Sequence, residues 1–182
     1  MGFDLSALPV RLDSAPLRRI RQDPRAWELA DEQIPPSELP HGLASERMLF
    51  PNRSHDHAEY VLDPAGRHAI AEWTERERSL PYRIIQGDEP FAEHARGVQG
   101  VPLRCSTARF LAEAAATIDA LDLAAARERF SVADMVDLCL YKVGPSEDDD
   151  DAFARITADL RRLAAYYRDI AGQGLDLVFI LD

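Results

Sequence analysis

The sequence predicts an α+β fold, in which one small sheet takes in strands from both chain ends and packs against several helices. Three observations carry that expectation. Residues 3–12 (FDLSALPVRL) alternate apolar and polar until Pro9 interrupts, the pattern of a strand at a sheet edge. Residues 175–181 (LDLVFIL) are apolar on nearly both faces, which places that strand inside the sheet. Between the two lie segments whose apolar residues recur at three- and four-residue steps, the period of a helix with one buried face.

After the first strand, Asp13 or Ser14 caps a short helix carrying Leu17 and Ile20. Asp23-Pro24 closes it and opens another around Trp27 and Leu29. Pro35, Pro36, Pro40, Gly42 and Pro51 then cluster, so residues 34–51 read as an irregular arm over the surface. No domain boundary is drawn there, and residues 1–182 are expected to form a single domain. Residues 55–62 and 67–78 read as helices joined by the turn Asp63-Pro64-Ala65-Gly66, the second with Ile70 and Trp73 on one face and charges on the other. The run Tyr82-Arg83-Ile84-Ile85 reads equally as a strand or as one helical turn.

The second half is clearer. Thr107 caps a helix with Phe110, Leu111, Ala114, Ala115, Ile118 and Leu121 on its core face. Ser131 with Asp134 makes a near capping box, opening a helix that turns Met135, Val136, Cys139 and Leu140 inward and ends at Gly144-Pro145. A long helix follows from about Asp148 to Ala171. Its stripe is Phe153, Ile156, Leu160, Leu163, Tyr167 and Ile170, with Gly172 in the place of a left-handed cap.

Composition removes whole classes of function. At 182 residues and 46% apolar content the chain can bury one sizeable core, so disorder throughout is excluded. The 21 basic and 32 acidic residues leave a net charge of −11, which repels a phosphate backbone and argues against nucleic acid. No run approaches the roughly 18 consecutive apolar residues of a membrane helix, and the opening residues do not read as a secretion signal; a soluble, cytoplasmic protein is expected. Cys105 and Cys139 are too few for a disulfide framework or a self-contained zinc site. Of the 21 basic residues all but Lys142 are arginine, which reads as the codon bias of a GC-rich bacterial genome.

The second half resembles the YfbM-like family, a bacterial domain of unknown function. The resemblance rests on LAEAAATIDALD at 111–122, Arg129-Phe130-Ser131, Met135 through Tyr141 before an acidic loop, Leu160, Tyr166-Tyr167-Arg168, Gly172-Gln173-Gly174 and the terminal apolar strand. It covers residues 100–182, while the first hundred match in outline only. At 55–62 the family pattern has an Asp-Lys pair, a tryptophan and a histidine before a tyrosine, whereas here His57 follows Asp56, tryptophan is absent and Glu59 precedes Tyr60. The resemblance implies an α+β fold and a bacterial cytosolic origin, and it brings no activity or catalytic residues with it.

Candidate sites therefore come from the residues themselves. His55, His57 and Glu59 are the best cluster of metal-ligand types, with His68, His41 and His94 as further donors. On a helix His55 and His57 point about 200° apart while His55 and Glu59 share a face, so the competing reading is a polar helical turn with surface histidines. The run Glu147 to Asp151 has the wrong spacing for a calcium loop and the right place to stabilise the start of the long helix, or to dock a basic partner. Cys105 before Thr107 reads as structural, because Arg109 follows too closely for a phosphatase loop. Phosphate-binding glycine loops, nucleophile elbows and His-Glu-x-x-His helices are all missing from the sequence, and no cofactor is expected.

These observations favour a non-catalytic protein-binding module, an immunity or inhibitor protein that captures a basic toxin or effector by electrostatic steering. Its binding surface would be Glu147, Asp148, Asp149 and Asp150, with Tyr141 and Tyr166 as exposed aromatic anchors. The alternative is a metal-dependent hydrolase or small-ligand-binding enzyme using His55, His57 and Glu59. Self-assembly through the two-sided terminal strand is a third expectation, and the oligomeric state is left open.

Overall fold

The computed structural model describes residues 5–23, 47–50, 54–70, 72–96, 100–140 and 142–181. Its centre is one antiparallel sheet of order β2-β1-β5-β4-β3, formed by β1 (Leu5–Val10), β2 (Arg47–Met48), β3 (Glu89–Pro90), β4 (Arg104–Ser106) and β5 (Asp176–Leu181). The two end strands pair along their whole length, from Leu5 opposite Leu181 to Val10 opposite Asp176. The expected α+β class and the pairing of the chain ends both hold, and β5 lies inside the sheet with β4 on its other side.

β1 is not the edge strand its Pro9 suggests, because Arg47–Met48 adds β2 beside Ser6 and Ala7. That pair also corrects the end of the irregular arm. The carbonyl of Leu5 accepts from the Leu49 amide at 2.9 Å, so residues 5, 7 and 9 turn their backbone groups toward the β2 side. Pro9 falls past the end of β2, and its missing N–H forfeits no ladder bond among the described residues.

Both faces of the sheet are covered. On one face Leu5, Ala7, Leu177 and Phe179 join the main core with residues of α2 (His55–Leu62), α5 (Leu80–Gln86), α6 (Ala108–Asp119) and α9 (Asp149–Gly172). On the other face Val10, Cys105 and Val178 pack with Leu17 and Ile20 of α1 (Ala15–Gln22) and with Phe91, Ala95 and Leu103. Tyr167 crosses the main core, donating to the Ile84 carbonyl at 2.7 Å with its ring edge against Phe179. Helix α1 stops at Gln22 as expected, since Asp23 precedes a proline and takes an extended conformation.

The middle of the chain breaks up more than its periodicity suggests. In place of one helix over 67–78 there are α3 (Pro64–Ala69), capped by the Asp63 carboxylate on the Gly66 amide, and α4 (Trp73–Arg76). The expected turn at 63–66 is thus the start of α3. Residues 82–85 are helical, within α5, and Ser79 caps that helix. Gly87 then turns the chain into β3 with φ 106°; an added Cβ would lie 2.8 Å from the Arg104 Cβ and 2.9 Å from Phe179.

Two further corrections concern the second half. α7 (Leu123–Arg129) and α8 (Val132–Asp137) follow α6, and α8 ends well before Gly144. Cys139 takes φ 55° in the turn after it and is exposed rather than part of the core, although Met135 and Leu140 are buried as expected. Gly172 is the last helical residue of α9, and the left-handed glycine is Gly174, at φ 67°. Trp27, His41, Tyr141 and most of the 34–51 arm lie outside the described residues.

Candidate functional site

The acidic run sits at the N-terminus of α9, beside α7 and α8, and its carboxylates engage the protein itself. Asp148 is the N-cap, accepting from the amides of Asp150 and Asp151. Asp149 accepts from the Val132 amide at 2.8 Å and so caps α8 as well. Asp150 pairs with Arg127 at 2.7 Å, and Glu147 pairs with Arg155 at 2.7 Å. Sequence spacing points to the helix-stabilising role, but not to Arg127, Arg155 or Val132, which only the fold brings near. Tyr166 does not anchor this surface. It follows Leu163 by three residues and Asp159 by seven on α9, so it lies on a buried edge of that helix and is itself buried.

The His55/His57/Glu59 segment is helical, as expected, but it is not a surface turn: all three side chains are buried. The side chain that organises the region is Glu59, 2% exposed. Arg76 from α4 donates Nε to its Oε2 at 2.9 Å, and Gln86 from α5 donates to Oε1. Arg76 also pairs with Asp56, one turn back on α2, and its guanidinium lies over the Tyr82 ring. Arg104 covers the same ring, with a centroid distance of 5.1 Å, while donating to the Gly87 and Asp88 carbonyls. Charged residues this deep persist only when paired, and Arg76 is bracketed by two carboxylates.

Burial pushes the Glu59 carboxyl up to about 7, with Arg76 and Gln86 pulling down and Asp56 adding to the rise. At Asp56 burial raises the carboxyl too, but the charges of Arg76 and His55 outweigh it and hold the group below its ordinary value. Burial and the neighbouring Arg76 lower Arg67, whereas Glu59 and Asp56 support its charge. Among the described residues no three His, Cys, Asp or Glu side chains converge as a metal site. Both Glu59 oxygens are held by neighbours, and His68 is engaged with Asp134 at 2.7 Å.

Beside this cluster a cleft of about 210 Å³ opens between α2, α3 and α5. Glu59, Asp63, Arg67, Ile70, Ser79 and Pro81 contribute to its wall. Arg67 is half-buried there, its Nε is sealed from solvent, and among the described residues its guanidinium has no hydrogen-bond or ion-pair partner. Sequence spacing marks Glu59 but not Arg67, Arg76 or Gln86, which lie 8 to 27 residues further along and on three other helices. Cys105 is buried in β4, and its thiol is pushed up to about 12 by burial, which Arg21 offsets only in part; it is structural.

A family described as a domain of unknown function, DUF1877, matches residues 55–180. The chain belongs to this family. The DUF1877 match begins at the start of α2 and therefore includes the 55–62 segment, where the sequence departs from the YfbM-like pattern. Among solved structures, the protein of unknown function YfbM from Escherichia coli is similar, with a TM-score of 0.67 at 16% identity over 98% of this chain and 99% of that one. That likeness establishes a shared fold. No curated protein matches this chain. No helix among the described residues is long and apolar enough to cross a membrane.

Proposed function

We propose that this DUF1877 protein is a binding protein that takes a small ligand into the cleft between α2, α3 and α5. The observation that carries the reading is Glu59: a buried carboxyl group, displaced from its ordinary titration range, forms the inner wall of a cleft. With both oxygens held by Arg76 and Gln86, Glu59 orients its surroundings and is not poised to take a proton from a substrate. Binding without chemistry therefore fits better than hydrolysis. The volume is below the usual range of about 300–1,000 Å³ for drug-sized ligands, so the ligand is small. A bacterial cytoplasm is the setting proposed with it, where Cys105 and Cys139 stay as free thiols. The test is a panel of small anionic, neutral and cationic fragments followed by amide chemical shifts. Perturbations confined to Gly66, Arg67, Ile70 and Ser79 are expected for one class of fragment, and a panel that leaves these amides unmoved would refute the reading.

A second reading, capture of a basic toxin or effector by the acidic end of α9, is supported by the exposure of Asp148, Asp150 and Asp151. The Arg127–Asp150 pair is at the surface, where such pairs contribute only about 0–1 kcal/mol, so an incoming arginine can replace Arg127 at little cost. Asp150→Asn should then weaken capture and steepen no unfolding transition; partner binding indifferent to this change would remove the acidic end from consideration.

A further inference from the structure

Arg67 carries the inference, which rests on the small-ligand reading above. A guanidinium leaves water at a cost unless it gains a partner, and the buried cations nearby are satisfied: Arg76 by Asp56 and Glu59, Arg104 by two carbonyls. Arg67 has neither kind of partner among the described residues, yet it is half-buried on the wall of the cleft with its Nε sealed. Glu59 and Asp56 support its charge only from a distance, so the hydrogen bonds of the guanidinium fork are left for a ligand to take up.

The rest of the wall narrows the anion. Glu59 and Asp63 also line the cleft, so a dianion such as phosphate would meet acidic side chains there, Asp63 capping α3 and Glu59 held by Arg76 and Gln86. A single negative charge is tolerated better, and a planar carboxylate matches the guanidinium fork. Ala69, Ile70 and Pro81 supply apolar surface for the remainder of the molecule. The cleft, at about 210 Å³, has room for a short acyl chain.

We infer that the ligand of this cleft is a short-chain monocarboxylate, its carboxylate paired with Arg67 and its apolar body against Ala69, Ile70 and Pro81. Glu59 and Asp63 then act in specificity by excluding dianions.

The test titrates butyrate, butyramide and inorganic phosphate into the intact protein, following the amide shifts of Gly66, Arg67 and Ile70. Butyrate is expected to bind, with butyramide weaker by roughly tenfold or more, since the lost contact is a charge-assisted pair. Phosphate should bind more weakly than butyrate. Arg67→Gln should lose butyrate to a similar degree, and Arg67→Lys should keep part of the affinity because it retains charge without the fork. Folding does not confound the variant, because the Arg67 guanidinium loses no hydrogen bond or ion pair among the described residues and burial with Arg76 outweighs the support of Glu59 and Asp56 for its charge; R67Q should melt at or above the native temperature. Equal binding of butyrate and butyramide, or butyrate binding unchanged in R67Q, overturns the carboxylate assignment while leaving a small-ligand cleft intact. If a neutral or cationic fragment binds there and butyrate does not, the assignment falls alone. If no fragment of any charge binds, both fall.

Discussion

At the scale of single residues, burial decides the chemistry. Glu59 and Glu147 have the same side chain, yet burial displaces the titration of Glu59 to about 7 while Glu147 pairs with Arg155 near the surface. A carboxyl group raised in the folded state binds more protons there than in the unfolded chain. Its contribution to stability is therefore present near its ordinary value of 4.5 and is lost as pH rises through about 7. Asp56, held low, works in the opposite sense and at lower pH: its contribution is lost as pH falls through its depressed value. Glu59→Gln removes the first effect and leaves the second. The stability of the native chain relative to E59Q is expected to fall from pH 5 to pH 8, measured by urea unfolding at each pH. Two curves that stay parallel over that window would mean Glu59 does not titrate there.

At the scale of elements, legibility in the sequence follows length and periodicity. Helices α6 and α9 and strands β1 and β5 are long enough to repeat their pattern, and their buried faces match it: Phe110, Leu111, Ala114 and Ile118 on α6, and Leu5 and Ala7 on β1. Strands β2, β3 and β4 have two or three residues each, too few to show alternation; β2 and β4 exist because β1 and β5 offer edges to pair with, and β3 adds to β4 in turn. The candidate site was legible in part for the same reason. Glu59 lies in a run of recognisable ligand types, but Arg67 and Arg76 look like solvated charges on amphipathic helices until the fold buries them beside it. Gly87 belongs to this scale as well, since it joins the site's α5 to the sheet. Gly87→Ala places a methyl group against Arg104 and Phe179 in a conformation that disfavours a side chain, and a loss of about 2–3 kcal/mol in chemical denaturation is expected. A loss below about 0.5 kcal/mol would show that the turn relaxes freely.

At the scale of the molecule, β5 is where the two cores meet, because Leu177 and Phe179 face one and Val178 the other. Its first residue reinforces that role. Asp176 accepts from the Leu12 amide at 2.9 Å with one oxygen and from the Ala108 amide at 2.8 Å with the other. Leu12 belongs to the core that contains α1, whereas Ala108 starts the helix that packs on the opposite face, so one carboxylate ties both layers to the sheet. Asp176→Ala leaves two amides without that acceptor, and at roughly 1–1.5 kcal/mol each the loss is about 2–3 kcal/mol. For a chain of this length that corresponds to a melting temperature lower by about 5–10 °C. The exposed pair of Arg168 with Asp119 gives the matched control, since Asp119→Ala removes an ion pair that joins no layers and should shift the melt by about 2 °C or less. Because Asp176 acts on both layers, D176A should still melt in one cooperative transition, followed by circular dichroism. A split transition would mean that the two cores unfold separately and that the carboxylate couples only one of them to the sheet.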